Sequence, residues 1–119
     1  RILWGSKKGF STSREQWIKF ASPLGADAAD FNRDGWLDLL IGSYNDPKSG
    51  FKDMGSIIFW GGRKGFTHSN AQWLPGFSPL GRTVADLDGD GHLDVAAGLH
   101  GNGGNVVASK SYRGGDKGW

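Results

Sequence analysis

A nine-residue acidic motif occurs twice in the chain, and its two copies lie 56 residues apart. The first copy spans residues 30–38 (DFNRDGWLD) and the second spans residues 86–94 (DLDGDGHLD). Both copies place oxygen-bearing side chains at motif positions 1, 3, 5 and 9, and a glycine at position 6. Hard cations such as Ca²⁺ take about six to eight oxygen ligands, and the glycine permits the tight turn of such a loop. The motif therefore predicts two calcium sites in a chain that is built from repeats.

Two other structures produce acidic loops of this type. An EF-hand needs a bidentate acid at position 12 and a helix on either side. Position 12 is Ile41 in the first copy and Ala97 in the second, and both belong to apolar runs typical of strands, which excludes the EF-hand. Ordinary solvated Asx-turns stay open as an alternative, although five fixed positions recur in register.

The repeat extends well beyond the two loops. The offset of 56 holds without a gap from Trp4 to His100, so that WGSKKGF at residues 4–10 matches WGGRKGF at residues 60–66. Residues 114–119 begin a third copy, which echoes residues 61–66 at an offset of 53. We therefore predict one segment over residues 1–119, with repeat one at 1–56, repeat two at 57–112 and the start of a third at 113–119.

Each repeat contains four short candidate strands. The first enters the acidic loop, the second leaves it as an apolar run, the third ends in an aromatic residue and glycine, and the fourth surrounds a Gln-Trp pair. The first strand is predicted at residues 25–29 and 81–85, and the second at 37–41 and 93–97. The third is predicted at 2–4, 57–60 and 106–112, and the fourth at 15–20 and 71–74. Four antiparallel strands in about 40–60 residues are typical of a β-propeller blade. The predicted fold class is all-β, with about two blade-equivalents of a larger or oligomeric propeller.

These residues resemble the FG-GAP/VCBS repeat, the calcium-loop blade of integrin α-subunit propellers and of many secreted bacterial proteins. The family pattern is a strand, D-x-[DN]-x-D-G-x-x-D, and an apolar strand that ends in glycine and a small residue; here it covers residues 30–43 and 86–99. The chain departs from it at residues 43–44 and 99–100, where the family often has Ala-Pro. The ligands that the resemblance implies are the side chains of Asp30, Asn32, Asp34, Asp38, Asp86, Asp88, Asp90 and Asp94, and the main-chain carbonyls of Trp36 and His92.

Composition limits the compartment and the partners. Glycine accounts for 21 of the 119 residues and aromatic residues for 13%, which is typical of an all-β chain with many turns. The chain has no cysteine for disulfides or thiolate metal sites, and no apolar stretch long enough to span a membrane. Calcium loops of modest affinity fill at extracellular concentrations, so we expect an extracellular, periplasmic or cell-surface protein. A start at Arg1 without a signal peptide suggests a processed product or an excised piece.

The net charge does not indicate a nucleic-acid partner. The formal charge is +2, but seven of the twelve acids lie in the two loops, and two bound Ca²⁺ ions would raise the charge to about +6. The basic residues are scattered through turns, without a recognition helix or a stacking motif. We therefore predict no nucleic-acid partner and no membrane-spanning segment.

The predicted function is a non-enzymatic calcium-binding propeller module for extracellular binding or adhesion, with calcium in a structural role and a glycan or a protein surface as the partner. Candidate ligand contacts are Tyr44, Trp73 and His100, on the face opposite the acidic loops, although a repeated tryptophan such as Trp17 or Trp73 more often packs in the core between blades. Arg82 and His100 are further candidates for a ligand face, but neither has an acid or a nucleophile nearby in sequence, so no catalytic residue is predicted. The alternatives are a segment of a secreted polysaccharide lyase or hydrolase, and a structural spacer.

Two blade-equivalents cannot close a ring of four to eight blades. Either several copies assemble into one propeller, for which a trimer with six blades is the predicted form, or the segment belongs to a longer polypeptide. The exposed strand edges of incomplete blades would otherwise be available for pairing with other chains.

Overall fold

The computed structural model describes residues 1–44, 55–76, 79–99 and 109–115. Over these ranges the chain is all-β, as predicted, with nine strands in three antiparallel sheets of two, four and three strands. No helix of membrane-spanning length and apolarity occurs in this part of the chain. The strands are β1 (Ile2–Leu3), β2 (Glu15–Gln16), β3 (Pro23–Ala29), β4 (Asp38–Ser43), β5 (Ser56–Phe59), β6 (Ala71–Leu74), β7 (Pro79–Ala85), β8 (Asp94–Leu99) and β9 (Lys110–Tyr112).

The four-stranded sheet follows the order of the chain, β3-β4-β5-β6. Its second strand, β4, is buried along almost its whole length because the apolar run from Leu39 to Ile41 is flanked by a strand on each side. The fourth strand, β6, has only one neighbour in the sheet and carries the more polar sequence AQWL. The order and the polarity of the strands thus agree with the four candidate strands, but the sheet spans the predicted boundary between the repeats: β3 and β4 lie in repeat one, β6 lies in repeat two, and β5 lies at the boundary.

The three-stranded sheet repeats the register of the four-stranded sheet. The row of paired residues that crosses β3, β4 and β5 has a counterpart across β7, β8 and β9, displaced by 56 residues in the first two strands and by 53 in the third. The two rows are Asp27, Leu40 and Ile58, and Thr83, Ala96 and Ser111. The described residues do not form a closed ring of sheets, so the propeller stays a prediction.

The two larger sheets share one hydrophobic core. Phe31, Leu40, Ile58 and Leu74 come from the first sheet and its loop, and Val95 comes from the second, and all five are buried in one cluster. Fully burying a side chain of this size stabilises the fold by about 1.5–3 kcal/mol. The core therefore holds the two sheets together and fixes the acidic loops at their ends.

The β1–β2 ribbon lies against the turn that follows β5. The side-chain amide of Gln16 donates to the Phe66 carbonyl at 2.7 Å and accepts from the Phe66 backbone N–H at 3.2 Å. Trp4 stacks on the Phe66 ring with 5.9 Å between ring centroids. These contacts attach the ribbon to the four-stranded sheet.

The repeated tryptophans lie outside the core that the two larger sheets share, and their packing against a further blade stays a prediction. Trp17 is 67% exposed and Trp73 is 52% exposed. Trp17 follows β2 of the ribbon, and Trp73 lies on the outermost strand of its sheet, so neither ring reaches the shared core. Their exposure leaves both rings accessible from solvent.

Candidate metal centre

Loop one, residues 30–38, connects β3 to β4 and folds around its own carboxylates. Asp30 begins the loop, and its two carboxylate oxygens accept backbone N–H groups from Asp34 at 3.1 Å and from Gly35 at 2.9 Å. Asp34 accepts the backbone N–H of Trp36 at 2.8 Å. The side chains at motif positions 1 and 5 therefore point back toward the loop backbone.

Loop two, residues 86–94, connects β7 to β8 and has a similar arrangement, except that its first aspartate accepts from position 4 where loop one uses position 5. Asp86 accepts the backbone N–H groups of Gly89 at 2.7 Å and Gly91 at 2.8 Å, and Asp90 accepts that of His92 at 2.8 Å. A carboxylate oxygen that accepts one N–H still has a lone pair for a cation. Solvated Asx-turns make the same bonds, so this pattern agrees with both interpretations of the motif.

Backbone conformation distinguishes the two loops at motif position 4. Position 6 is a glycine with positive φ in both loops, 86° at Gly35 and 88° at Gly91. Position 4 also has positive φ, but it is Arg33 at 60° in loop one and Gly89 at 79° in loop two. A non-glycine residue in this left-handed region costs about 1 kcal/mol or more. Loop one therefore contains strain that loop two avoids.

Substitutions at position 4 of the two loops are expected to change the free energy of unfolding in opposite directions. Arg33→Gly should raise the free energy of unfolding by about 0.5–1 kcal/mol, because the strain is relieved, and Gly89→Ala should lower it by about 1 kcal/mol. Urea denaturation in the presence of EDTA measures both changes without a contribution from bound metal. Changes of equal size and the same sign in the two free energies of unfolding would contradict the backbone strain at Arg33.

The aspartate at motif position 9 is buried and tied to two distant backbone groups. Asp38 is 0% exposed, and its oxygens accept the N–H of Phe31 at 2.8 Å and that of Gly61 at 2.7 Å. Asp94 is 1% exposed and accepts the N–H of Leu87 at 2.8 Å and that of Gly114 at 3.0 Å. We call each of these residues a carboxylate clamp, because it joins its loop to the segment just beyond the third strand of its sheet.

Sequence reasoning assigned the position-9 aspartates to metal ligation and missed the clamp. The available signal was the recurrence of glycine directly after the third strand, since residues 114–119 echo residues 61–66 at the offset of 53. The clamp does not remove these residues from the ligand set, because each oxygen has further lone pairs.

Burial raises the pKa of Asp38 above its ordinary value of 3.8. The N–H bonds from Gly61 and Phe31 act in the opposite direction, and the nearby carboxylates of Asp34 and Asp30 add to the increase. The charged form is thus disfavoured by desolvation and by its acidic neighbours. A divalent cation in the loop would offset both effects.

Loop two brings three carboxylates together. Ligand oxygens of Asp86, Asp88 and Asp94 all lie within 4.8 Å of one another. Two oxygens bound to one Ca²⁺ at about 2.3–2.6 Å lie at most about 5 Å apart, so the three side chains fit a single ion. Arg113 supplies a positive charge beside this group, with its Nη1 3.0 Å from Asp88 Oδ2.

Loop one differs in its central ligand. Asn32 stands where loop two has Asp88, so the corresponding three side chains offer two carboxylates and one amide oxygen. The Asn32 amide also donates to Asp34 Oδ2 at 2.9 Å and accepts the Asp34 N–H at 3.1 Å. The negative charge at loop one is therefore lower than at loop two. The ligand roles of the Trp36 and His92 carbonyls stay predictions.

The residues predicted to contact a ligand lie at the other end of the first sheet. Tyr44 follows β4, and Trp73 lies near the end of β6 that pairs with the start of β5. Both are exposed, at 46% and 52%. His100 lies outside the described residues, as do most of the two long connections that were expected on this face. Arg82 is not on a ligand face, because its side chain is 4% exposed and its guanidinium bonds to Asp27.

A cleft that sequence reasoning did not predict lies beside loop one. Its volume is about 700 Å³, and it separates the β1–β2 ribbon from the loop. Trp4, Trp36 and Phe66 supply aromatic surface, and Arg63 and Lys64 supply positive charge. These residues come from three separate segments, so only the fold brings them together.

Comparison of the chain with models of known protein families, with curated proteins and with solved structures finds no match. Function is therefore inferred from the repeated motif and the geometry of the two loops.

Proposed function

We propose that the chain is a calcium-stabilised repeat module of the FG-GAP/VCBS type, with one ion in each acidic loop. The observation that carries the proposal is the convergence of Asp86, Asp88 and Asp94 in a loop whose motif recurs in register. Three carboxylates this close repel one another, and Arg113 beside Asp88 and the backbone N–H donors offset part of this repulsion. A divalent cation between them would offset the rest. Carboxylate oxygens are ligands that Ca²⁺ prefers.

The proposed role of the ion is structural. Each loop joins the first strand of its sheet to the second, and the polar loop itself supplies little apolar surface for packing. A cation held by side-chain oxygens at positions 1, 3, 5 and 9 would fix the ends of both strands. Protein oxygens would occupy most of the coordination positions, which leaves little room to activate water or substrate. The module is accordingly proposed to be non-enzymatic.

The proposed architecture is a β-propeller. Four consecutive antiparallel strands in one sheet, and a second sheet with the same register packed against it, are what successive blades require. Further blades would come from other copies of the chain or from a longer polypeptide.

The proposed setting is extracellular, periplasmic or at the cell surface, where calcium is abundant enough for loops of modest affinity. The proposed partner is a glycan or a protein surface. Two regions would meet it, namely the end of the first sheet with Tyr44 and Trp73, and the cleft beside loop one. Both expose aromatic rings, which supply large contact area at low entropic cost.

Calcium is expected to fill loop two before loop one. Loop two offers four carboxylates and loop one offers three, and more negative ligands usually bind Ca²⁺ more tightly. Isothermal titration calorimetry should resolve two affinities. Asn32→Asp should tighten the weaker site, and the matched change Asp88→Asn should weaken the tighter one.

The tryptophan at position 7 identifies the loops in this titration. Trp36 belongs to loop one, whereas loop two has His92 at the same position. Because the chain has six tryptophans, the signal of loop one is the part of the fluorescence change that Trp36→Phe removes. This part in the first phase of the titration would contradict the order of filling, and no calcium uptake at all would contradict the proposal.

A further inference from the structure

The contact between the two larger sheets includes a buried arginine. Arg82 lies on β7, and its guanidinium crosses to the first sheet, where Nε is 3.2 Å from Asp27 Oδ2 and Nη1 is 3.0 Å from the Leu24 carbonyl. Its side chain is only 4% exposed. A buried guanidinium needs such partners, because an unpaired charge is costly to desolvate.

Two glycines form the floor on which this arginine lies. A Cβ added at Gly25 would lie 2.7 Å from Arg82 Nη2, and a Cβ added at Gly42 would overlap the guanidinium. We call Gly25, Gly42 and Asp27 the first cradle. Within the chain, β7 of the following repeat covers this cradle.

The second sheet contains the same feature in the same register. Gly81, Gly98 and Thr83 stand 56 residues after Gly25, Gly42 and Asp27. Among the described residues, no atom lies within 4 Å of a Cβ added at Gly81, and one added at Gly98 meets only the Gly81 carbonyl, at 3.7 Å.

A shallow cavity of about 430 Å³ lies over this second cradle, lined also by Ala96, Ala97 and Lys110. The part of the chain that the structure describes therefore leaves the second cradle open.

The charges of the second cradle indicate what covers it. The residue that corresponds to Arg82 in the first repeat is Ala26, which is exposed on β3. In a contact between two copies of the chain, Ala26 of one copy would meet Thr83 of the other. This contact would lack both charged groups of the pair that Arg82 and Asp27 form within the chain. Neither a carboxylate nor a guanidinium would therefore be left unpaired.

We propose that a second copy of the chain docks its β3, around Ala26, on the cradle formed by Gly81, Gly98 and Thr83. The contact repeats the packing of β7 on β3 and β4 within one chain. It is heterologous, so it closes into a ring where the rotation permits. The inference rests on the proposed repeat architecture and is independent of calcium in the loops.

Charge substitutions test this contact, with light scattering over a concentration series as the measurement. The wild-type chain is expected to form oligomers. Thr83→Asp and Ala26→Arg, each alone, should weaken association by about a hundredfold or more, because each places an unpaired charge in the contact. The double variant should recover association, since it recreates between copies the pair that Asp27 and Arg82 form within one chain.

Mixing gives a second readout. In an equimolar mixture of the two single variants, both junctions between unlike chains are compatible, because one carries the introduced ion pair and the other is the wild-type contact of Ala26 with Thr83. The mixture should therefore form alternating oligomers that neither variant forms alone. Thr12→Asp places a charge on an exposed residue outside the cradle and serves as the matched control. Circular dichroism of each variant verifies that the dissociated chains stay folded.

A monomeric wild type would overturn the inference, and so would oligomers that tolerate both single substitutions. The light scattering is repeated in EDTA and is compared with the calcium uptake measured by calorimetry. Calcium uptake without assembly contradicts the docking contact alone. Assembly without calcium uptake contradicts the proposed role of the loops alone.

Discussion

Replacing Asp38 by asparagine is expected to lower the free energy of unfolding by about 2–3 kcal/mol, with calcium absent. Both carboxylate oxygens accept buried backbone N–H groups, from Phe31 and Gly61. An amide has one acceptor oxygen, so its NH₂ group would face one of these donors and leave it unsatisfied. Removing the buried charge relieves some desolvation cost, which keeps the loss below the full value of two charged hydrogen bonds.

The matched control for this substitution lies in the same loop. Asp34 is exposed, and its Oδ1 accepts the Trp36 N–H, a bond that an asparagine oxygen also makes. Its Oδ2 accepts from the Asn32 amide, but both groups are exposed, so water replaces that bond at little cost. Asp34→Asn should therefore cost less than about 1 kcal/mol. Asp94→Asn should resemble Asp38→Asn, because its two bonds are equivalent. Urea denaturation in EDTA measures all three, and equal losses for Asp34→Asn and Asp38→Asn would show that the clamp is unimportant.

Chelation of calcium is expected to lower the melting temperature by about 10 °C for each site that is filled at a hundredfold excess over its Kd. A ligand that binds only the folded chain adds RT ln(1 + [L]/Kd), which is about 2.7 kcal/mol at this excess. In a chain of this length, 1 kcal/mol corresponds to several degrees. Scanning calorimetry with calcium, and then with EDTA, measures the difference.

Substitutions distinguish the loops from a general effect of salt. Asp88→Ala should remove the part of the calcium-dependent shift that belongs to loop two, because Asp88 is one of the three converging carboxylates. Glu15→Gln removes a carboxylate outside both loops and should leave the shift unchanged. An identical melting curve with and without EDTA would mean that the loops are Asx-turns without a functional ion.

Much of the fold was predictable because its signals are local. The apolar run from Leu37 to Ile41 predicted a buried strand, which the structure has at Asp38–Ser43, with Leu37 itself outside it and 62% exposed. The Gln-Trp segment predicted the outer strand Ala71–Leu74, which the structure has at the same bounds. The repeat offset of 56 agrees with the register that the first two strands of the second sheet share with the first sheet. These features depend on residues close in sequence or on a repeat that is visible in the sequence.

The parts that were missed depend on contacts between distant residues. Asp38 bonds to Gly61, which is 23 residues away, and Arg82 bonds to Asp27, which is 55 residues away. A carboxylate in an acidic loop has the same appearance in a sequence whether it binds a cation or a backbone N–H. The burial of Trp17 also depends on distant contacts, because it lies beyond a short ribbon and is exposed in this structure, and only a further blade would cover it.

A crystal structure of the chain grown in calcium tests the central claim most directly. We expect one ion in each loop, with about six to eight oxygens at about 2.3–2.6 Å. In loop two these should include Asp86, Asp88 and Asp94. Anomalous scattering distinguishes calcium from water at both positions. Water alone in both loops, with their hydrogen bonds unchanged, would contradict the account.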